Sequence, residues 1–194
     1  MDAGRVVLVH DWLTGMRGGE KCLEPLCRRW PGAELHTLFH KKGSVSPVIE
    51  GARVRPSPLN RLPRVDRYYR YLLPLMPFAA GWRVRDADLV VSLSHAVAKS
   101  ARPPAGVPHV CYCFTPMRYA WHMQGAYFRA PGLLGKLKAQ AADVLLSRIR
   151  EWDRQTAARV THFVAISHTV RDRIRECYGR DSVVVYPPVD TDFY

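Results

Sequence analysis

The sequence predicts an α/β fold, a doubly wound domain built around a mainly parallel sheet. Short, β-branched apolar runs alternate with segments of helical spacing along most of the 194 residues. Gly, Pro and Ser punctuate the joints between them. Hydrophobic residues make up 47% and charged residues 24%, which suits one sizeable core and argues against wholesale disorder.

Residues 5–10 are an apolar, β-branched run and read as a buried parallel strand. The loop Gly15-Met16-Arg17-Gly18-Gly19 follows. Residues 20–30 then set Cys22, Leu23, Leu26, Cys27 and Trp30 at helical spacing, and Pro31-Gly32 stops the helix. Residues 33–39 read as a second strand. Beyond it the pattern dissolves into a polar stretch reaching Pro63, and residues 40–85 are expected to form an insertion-like region of their own character. Residues 88–93 are the next strand, leading through Ser94-His95 into a short helix. Residues 107–114 follow, with Pro108 near the start, where a missing N–H is tolerated. A long amphipathic helix covers residues 133–158, and residues 161–166 return as a strand. Ser167 caps a helix running to Tyr178, and residues 182–186 are the last strand.

Lys and Arg number 29 against 17 Asp and Glu, a net charge of +12, so an anionic partner is expected. Nucleic acid, phospholipid and a phosphorylated ligand all satisfy that charge. Between residues 53 and 85 stand eight arginines and a single acid, Asp66, interleaved with Tyr68, Tyr69, Tyr71, Leu72, Leu73, Leu75, Met76, Phe78 and Trp82. A helix from about Arg64 would set aromatic and aliphatic groups beside arginines, which suits anionic lipid, with Arg61, Arg64, Arg67, Arg70 and Trp82 as the membrane-surface set. The same composition suits single-stranded nucleic acid, or an apolar core with a solvated basic rim. No run reaches the roughly 18 apolar residues of a spanning helix, and the amino-terminal run is too short for a signal peptide. The expectation is a cytoplasmic protein that touches a membrane. Five cysteines without a C-x-x-C pair read as buried reduced thiols, Cys111 and Cys113 sharing one strand face; no metal site is expected.

Ligand crevices in open α/β sheets form at the carboxyl ends of strands. His10 and Asp11 end the first strand and are weak catalytic candidates. Gly18 and Gly19 open the helix that follows, where backbone N–H groups can meet an anion and glycine allows close approach or positive φ. A tight strand-to-helix turn fits that G-x-x-G-G spacing equally well. At the end of residues 107–114, Arg118 offers a bidentate clamp for phosphate or carboxylate, and Tyr119 and Trp121 offer flat surfaces for a sugar ring.

Three segments carry a family resemblance. Val164-Ala165-Ile166-Ser167, followed by Val184-Val185-Tyr186-Pro187-Pro188-Val189-Asp190, resembles the end of the amino-terminal domain of a family 4 glycosyltransferase. His10-Asp11-Trp12-Leu13 with Gly18-Gly19-Glu20 resembles that domain's opening. Thr115-Pro116-Met117-Arg118-Tyr119-Ala120-Trp121 is similar to a branch of bacterial polysaccharide and lipopolysaccharide transferases with mannosyltransferase-like members. The resemblance implies one half of a GT-B fold: residues 1–187 as the acceptor-side Rossmann-like domain and 188–194 as the start of a linker. A nucleotide-sugar domain would follow, and without it this chain is expected to be inactive. It further implies sugar transfer with retention, from a nucleotide-sugar donor to a lipid-linked or glycan acceptor. No metal, no cofactor besides that co-substrate and no nucleic acid are expected. In that frame Gly18 and Gly19 approach the donor diphosphate, while Arg118, Tyr119 and Trp121 bind acceptor. The sequence departs from the family pattern at Phe114, where many members carry a histidine beside the donor sugar, and at His122, where some carry an acid. Two other readings stand beside this one: a non-catalytic glycan- or lipid-binding half serving a separate donor-binding subunit, and a nucleic-acid-binding α/β domain.

Overall fold

A computed structural model describes residues 4–121 and 133–189. Among these residues seven strands form one all-parallel sheet: β1 (Val6–Leu13), β2 (Glu34–His40), β3 (Arg53–Pro56), β4 (Leu89–Ser94), β5 (His109–Cys113), β6 (His162–Ala165) and β7 (Ser182–Val184). Their order is β3-β2-β1-β4-β5-β6-β7. The chain winds outward from β1 to β3, then returns to lay β4 against the free side of β1, with Val7 opposite Val90 and Val9 opposite Ser92. All eight residues of β1 are buried, which is why this central strand reads as an unbroken apolar run.

Helix α1 (Gly18–Arg29) lays Cys22, Leu23 and Cys27 on one sheet face, against Leu8, Leu35 and Leu93. The short α2 (Pro47–Glu50), its amino end capped by the Ser46 hydroxyl, adds Ile49 to that layer. On the opposite face lie α3 (Val65–Tyr68), a 3-10 segment (Tyr69–Leu75) and α4 (Met76–Ala79). Beyond β5 come α5 (Arg118–Trp121), α6 (Leu133–Ala157) and α7 (His168–Tyr178). Ser167 caps α7 by accepting the Val170 N–H at 3.3 Å, and Gly179, at φ +64°, closes it in the left-handed conformation glycine tolerates.

Two expectations need correction. Residues 40–85 do not stand apart as a region of their own. Val65, Tyr69, Met76, Ala80, Trp82 and Val84 share a core cluster with Val7, Val9, Trp12, Leu38 and Phe39, so this segment is the cover of one sheet face. Its polar first part contains β3, an edge strand paired only with β2, in which Val54 is half-buried and its three neighbours are exposed. The expected helix from Arg64 is broken into separate turns. Arg64 takes a left-handed backbone (φ +53°), and Pro74 and Pro77 remove donors that a continuous helix needs.

A buried polar network ties the second half together. The ammonium of Lys99 pairs with Asp153 of α6, whose other oxygen accepts from Tyr178 Oη (2.8 Å) and Trp121 Nε1 (2.9 Å). All five cysteines are buried and unpaired, and Cys111 and Cys113 lie in the same cluster beneath α7. No helix among the described residues is long and apolar enough to cross a membrane.

Candidate functional site

The winding reverses between β1 and β4, so the connections leaving their carboxyl ends run in opposite directions, which is where open parallel sheets hold ligands. A cleft of about 630 Å³ occupies that position. His10 and Trp12 of β1, Tyr69 and Arg70 of the covering segment, His95 beyond β4, Phe114 and Thr115 beyond β5, and the first residues of α1 and α7 line it. A hollow of similar size, about 640 Å³, lies at the opposite ends of the strands beside Arg5, Trp30 and Arg53, and includes none of the sequence-predicted site residues.

The cleft is basic. Among the described residues Arg17, Arg70, Arg118 and Arg173 line it, against one acid, Glu20. Glu20 is buried and engaged, its Oε2 accepting the Arg17 N–H at 3.0 Å. Helices α1 and α7 both begin at its wall, so the positive ends of two helices add to the side-chain charge. Burial pushes the Tyr69 phenol up, but Thr14, Arg17 and Arg70 around its oxygen outweigh that and bring it below its ordinary value.

The glycines differ in what they permit. A Cβ on Gly19 would lie 3.2 Å from His10 Nε2, tighter than a usual contact, and 3.5 Å from Phe114 Cε2, so a side chain here would press on the His10 ring beneath the loop. Gly18 has open space in the corresponding direction, leaving room for a ligand beside its backbone. Neither glycine has a positive φ, so close approach is the property in use.

His10 and Asp11 have separate duties. His10 is 1% exposed, and its Nδ1 lies 2.9 Å from the Trp12 carbonyl, to which it donates as Nδ1–H. Its Nε2 is buried without a hydrogen-bond partner. Burial lowers its basicity more than Glu20 and Asp11 restore it, which keeps the ring neutral. Asp11 is fully buried and faces the turn after β4. Its Oδ2 accepts the N–H groups of His95 (2.6 Å) and Ala96 (3.0 Å), and its Oδ1 those of Val97 and Ala98 (both 2.6 Å). The His95 Nδ1 lies 2.9 Å from Oδ2. Burial alone would raise the Asp11 carboxyl, yet the His95 ring and these hydrogen bonds hold it well below the usual carboxylate range. Asp11 thus builds the floor of the site and is closed to ligand.

Of the three residues expected to bind acceptor, Arg118 and Tyr119 line the cleft and Trp121 does not. The Trp121 indole N–H is spent on Asp153, Arg154 lies over its ring at 5.4 Å, and it packs edge-on to Tyr178. The proposed membrane set also divides. Arg61, Arg64, Arg67 and Arg70 are exposed, with Arg70 turned to the cleft, but Trp82 is only 9% exposed and belongs to the core. His122, where the family pattern departs, lies outside the described residues. Sequence reasoning missed Arg17, Arg173 and His95 as cleft residues. The available signal for His95 was its place two residues past a predicted strand's carboxyl end.

Among the described residues no group of three or more His, Cys, Asp or Glu is arranged to hold a metal ion. Over residues 16–193 the chain matches the family described as Glycosyltransferase Family 4. No curated protein matches the chain.

Proposed function

The chain belongs to glycosyltransferase family 4, and from that premise we propose that it is the acceptor-binding half of a GT-B enzyme transferring a sugar, with retention, from a nucleotide sugar to a lipid-linked or polysaccharide acceptor. The observation that carries the reading is the convergence of two helix amino termini and four arginines on one cleft at the switch point. Such a site suits a ligand that is anionic at one end and hydroxylated at the other. The donor diphosphate approaches Gly18, where the backbone is open, and Arg118 and Tyr119 orient the acceptor. The leaving group is a nucleoside diphosphate, so this half contributes mainly proximity and charge neutralisation. No cofactor beyond the nucleotide sugar is invoked. A mannosyltransferase-like donor preference rests on the resemblance of residues 115–121 alone.

The partner surface we propose is an anionic membrane on its cytoplasmic face. Tyr71 and Phe78 are 84% and 87% exposed, Leu75 is exposed between them, and Arg61, Arg64 and Arg67 stand on the same segment. Tyr71 and Phe78 take the role first given to Trp82.

The test uses the natively expressed protein. An intact mass near twice the 22.1 kDa of these residues places a donor domain on the same chain, while an equal mass directs the search to a separate donor-binding subunit. Release of free nucleoside diphosphate from UDP-glucose, UDP-galactose, GDP-mannose and related sugar nucleotides, with cell membranes as acceptor, is then measured. Arg118→Ala should lower transfer at least tenfold with the fold intact, and unchanged kinetics would remove Arg118 from the site.

A further inference from the structure

His95 has no part in the reading above, and its surroundings constrain it tightly. The Asp11 carboxylate accepts four backbone N–H groups besides the His95 ring contact. A carboxylate so supplied with donors is ionised and can only accept, so the His95 nitrogen facing it, Nδ1, must carry the hydrogen. In the neutral ring the lone pair then belongs to Nε2. Trp12 meets the imidazole edge-on, with centroids 4.4 Å apart and planes at 89°, and fixes its tilt. The side chain remains 26% exposed and lines the cleft with Gly18, Gly19 and Arg118. Among the described residues the other histidine lining the cleft is His10, which is buried against Gly19 and out of reach. Phe114, its ring centroid 6.3 Å from that of His95, offers no polar atom.

A ring locked in one tautomer by a buried carboxylate presents a single, oriented hydrogen-bond acceptor. The charged groups open to the cleft are arginines, and with the amides of the helix ends they are donors suited to the anionic part of a ligand, while Glu20 is buried and engaged. An imidazole lone pair among them calls for the opposite partner, a hydroxyl. We propose that His95 is a sugar-contacting residue of this cleft, its Nε2 accepting a hydrogen bond from a sugar hydroxyl, and that Asp11 is the positioning residue that fixes its tautomer and orientation. The inference rests on the transferase reading. The hydroxyl belongs either to the sugar being transferred or to a sugar of the acceptor, and the chemistry at His95 is the same.

Nitrogen-15 spectra of the histidine side chains of the intact protein, at about pH 8.5 where a free imidazole is neutral, test it without turnover. His95 should show the Nδ1–H tautomer. Its Nε2 signal should move on adding a sugar nucleotide such as UDP-glucose or GDP-mannose, and stay still with UDP or GDP alone. A response to octyl glucoside instead would assign the hydroxyl to the acceptor's sugar. In transfer assays His95→Phe, which keeps the packing on Trp12 but takes one donor from Asp11, should lose at least tenfold in kcat/KM while circular dichroism shows the native fold retained. The inference falls if ligands shift the Gly18 and Gly19 amides while His95 stays unmoved, if the ring carries its hydrogen on Nε2, or if His95→Phe transfers normally. If no sugar nucleotide shifts any cleft signal and none is turned over, the transferase reading falls and takes this inference with it.

Discussion

At the scale of single residues, two buried titratable groups set how stability follows pH. Asp11 serves five donors on one carboxylate, and an asparagine there has one oxygen and turns an N–H₂ group toward backbone N–H groups. Asp11→Asn should cost about 3 kcal/mol or more at neutral pH. Because the folded carboxyl is held below its ordinary value of about 3.9, its stabilisation is complete above that value and is lost as pH falls beneath it. Urea unfolding should therefore show a gap between wild type and variant that narrows below about pH 4, and a gap independent of pH would contradict the assignment. His109 behaves differently. Burial first, and the Lys99 charge second, push its imidazole down to about 4, with Nε2 2.8 Å from Ser92 Oγ. Between about pH 6.5 and 4 the unfolded chain takes up a proton that the folded chain refuses, so stability should fall with pH across that window by up to about 3 kcal/mol. Replacing His109 with Phe should reduce that slope in denaturation curves taken across the window, the remainder coming from His10, whose imidazole burial also pushes down.

At the scale of elements, the junction from β1 to α1 depends on Gly19. A β-branched side chain there would drive into His10 and Phe114. Gly19→Val should displace the loop and weaken nucleoside diphosphate binding by about tenfold or more in calorimetry. A comparable change at Gly18 meets no protein atom, so any loss of binding there would come from the ligand side. How far such elements can be read in advance depends on how they are buried. Strands β1 and β4 are nearly wholly buried, and their apolar runs stand out in the sequence. Strand β3 is paired on one side only, needs a single half-buried valine, and tolerates Pro56, so no pattern betrays it. The carboxyl-end rule reached His10, Gly18 and Arg118 because each lies next to a legible strand. It did not separate Tyr119 from Trp121, since the direction of an indole two residues on depends on Asp153, more than thirty residues away. Arg17, Arg173 and His95 reach the same cleft from three different strand ends, and only the strand order assembles them.

At the scale of the whole molecule, charge and exposed apolar surface coincide on the covering segment. That segment is bifunctional in the physical sense: Tyr69, Met76 and Trp82 face inward and seal the sheet, while Tyr71, Leu75 and Phe78 face solvent. Paired Tyr71→Ser and Phe78→Ser substitutions should leave the melting temperature nearly unchanged and reduce co-sedimentation with vesicles containing anionic lipid. Raising the salt should weaken wild-type binding further, since exposed arginines contribute a screened attraction. Equal sedimentation of the double variant and the wild type would reject the lipid surface.

The pairing of β1 with β4 joins residues more than eighty positions apart. During synthesis, at about 5–20 residues per second, β1 therefore leaves the ribosome several seconds before the strand that will cover its inner edge. Throughout that interval the N–H and C=O groups along Val7 and Val9 have no neighbour on that side, and Asp11 has none of the amides that later surround it. A chain released or cleaved before residue 89 would keep this apolar ladder open to pairing with another copy. The pairing that creates the cleft thus also makes an interrupted chain a seed for aggregation.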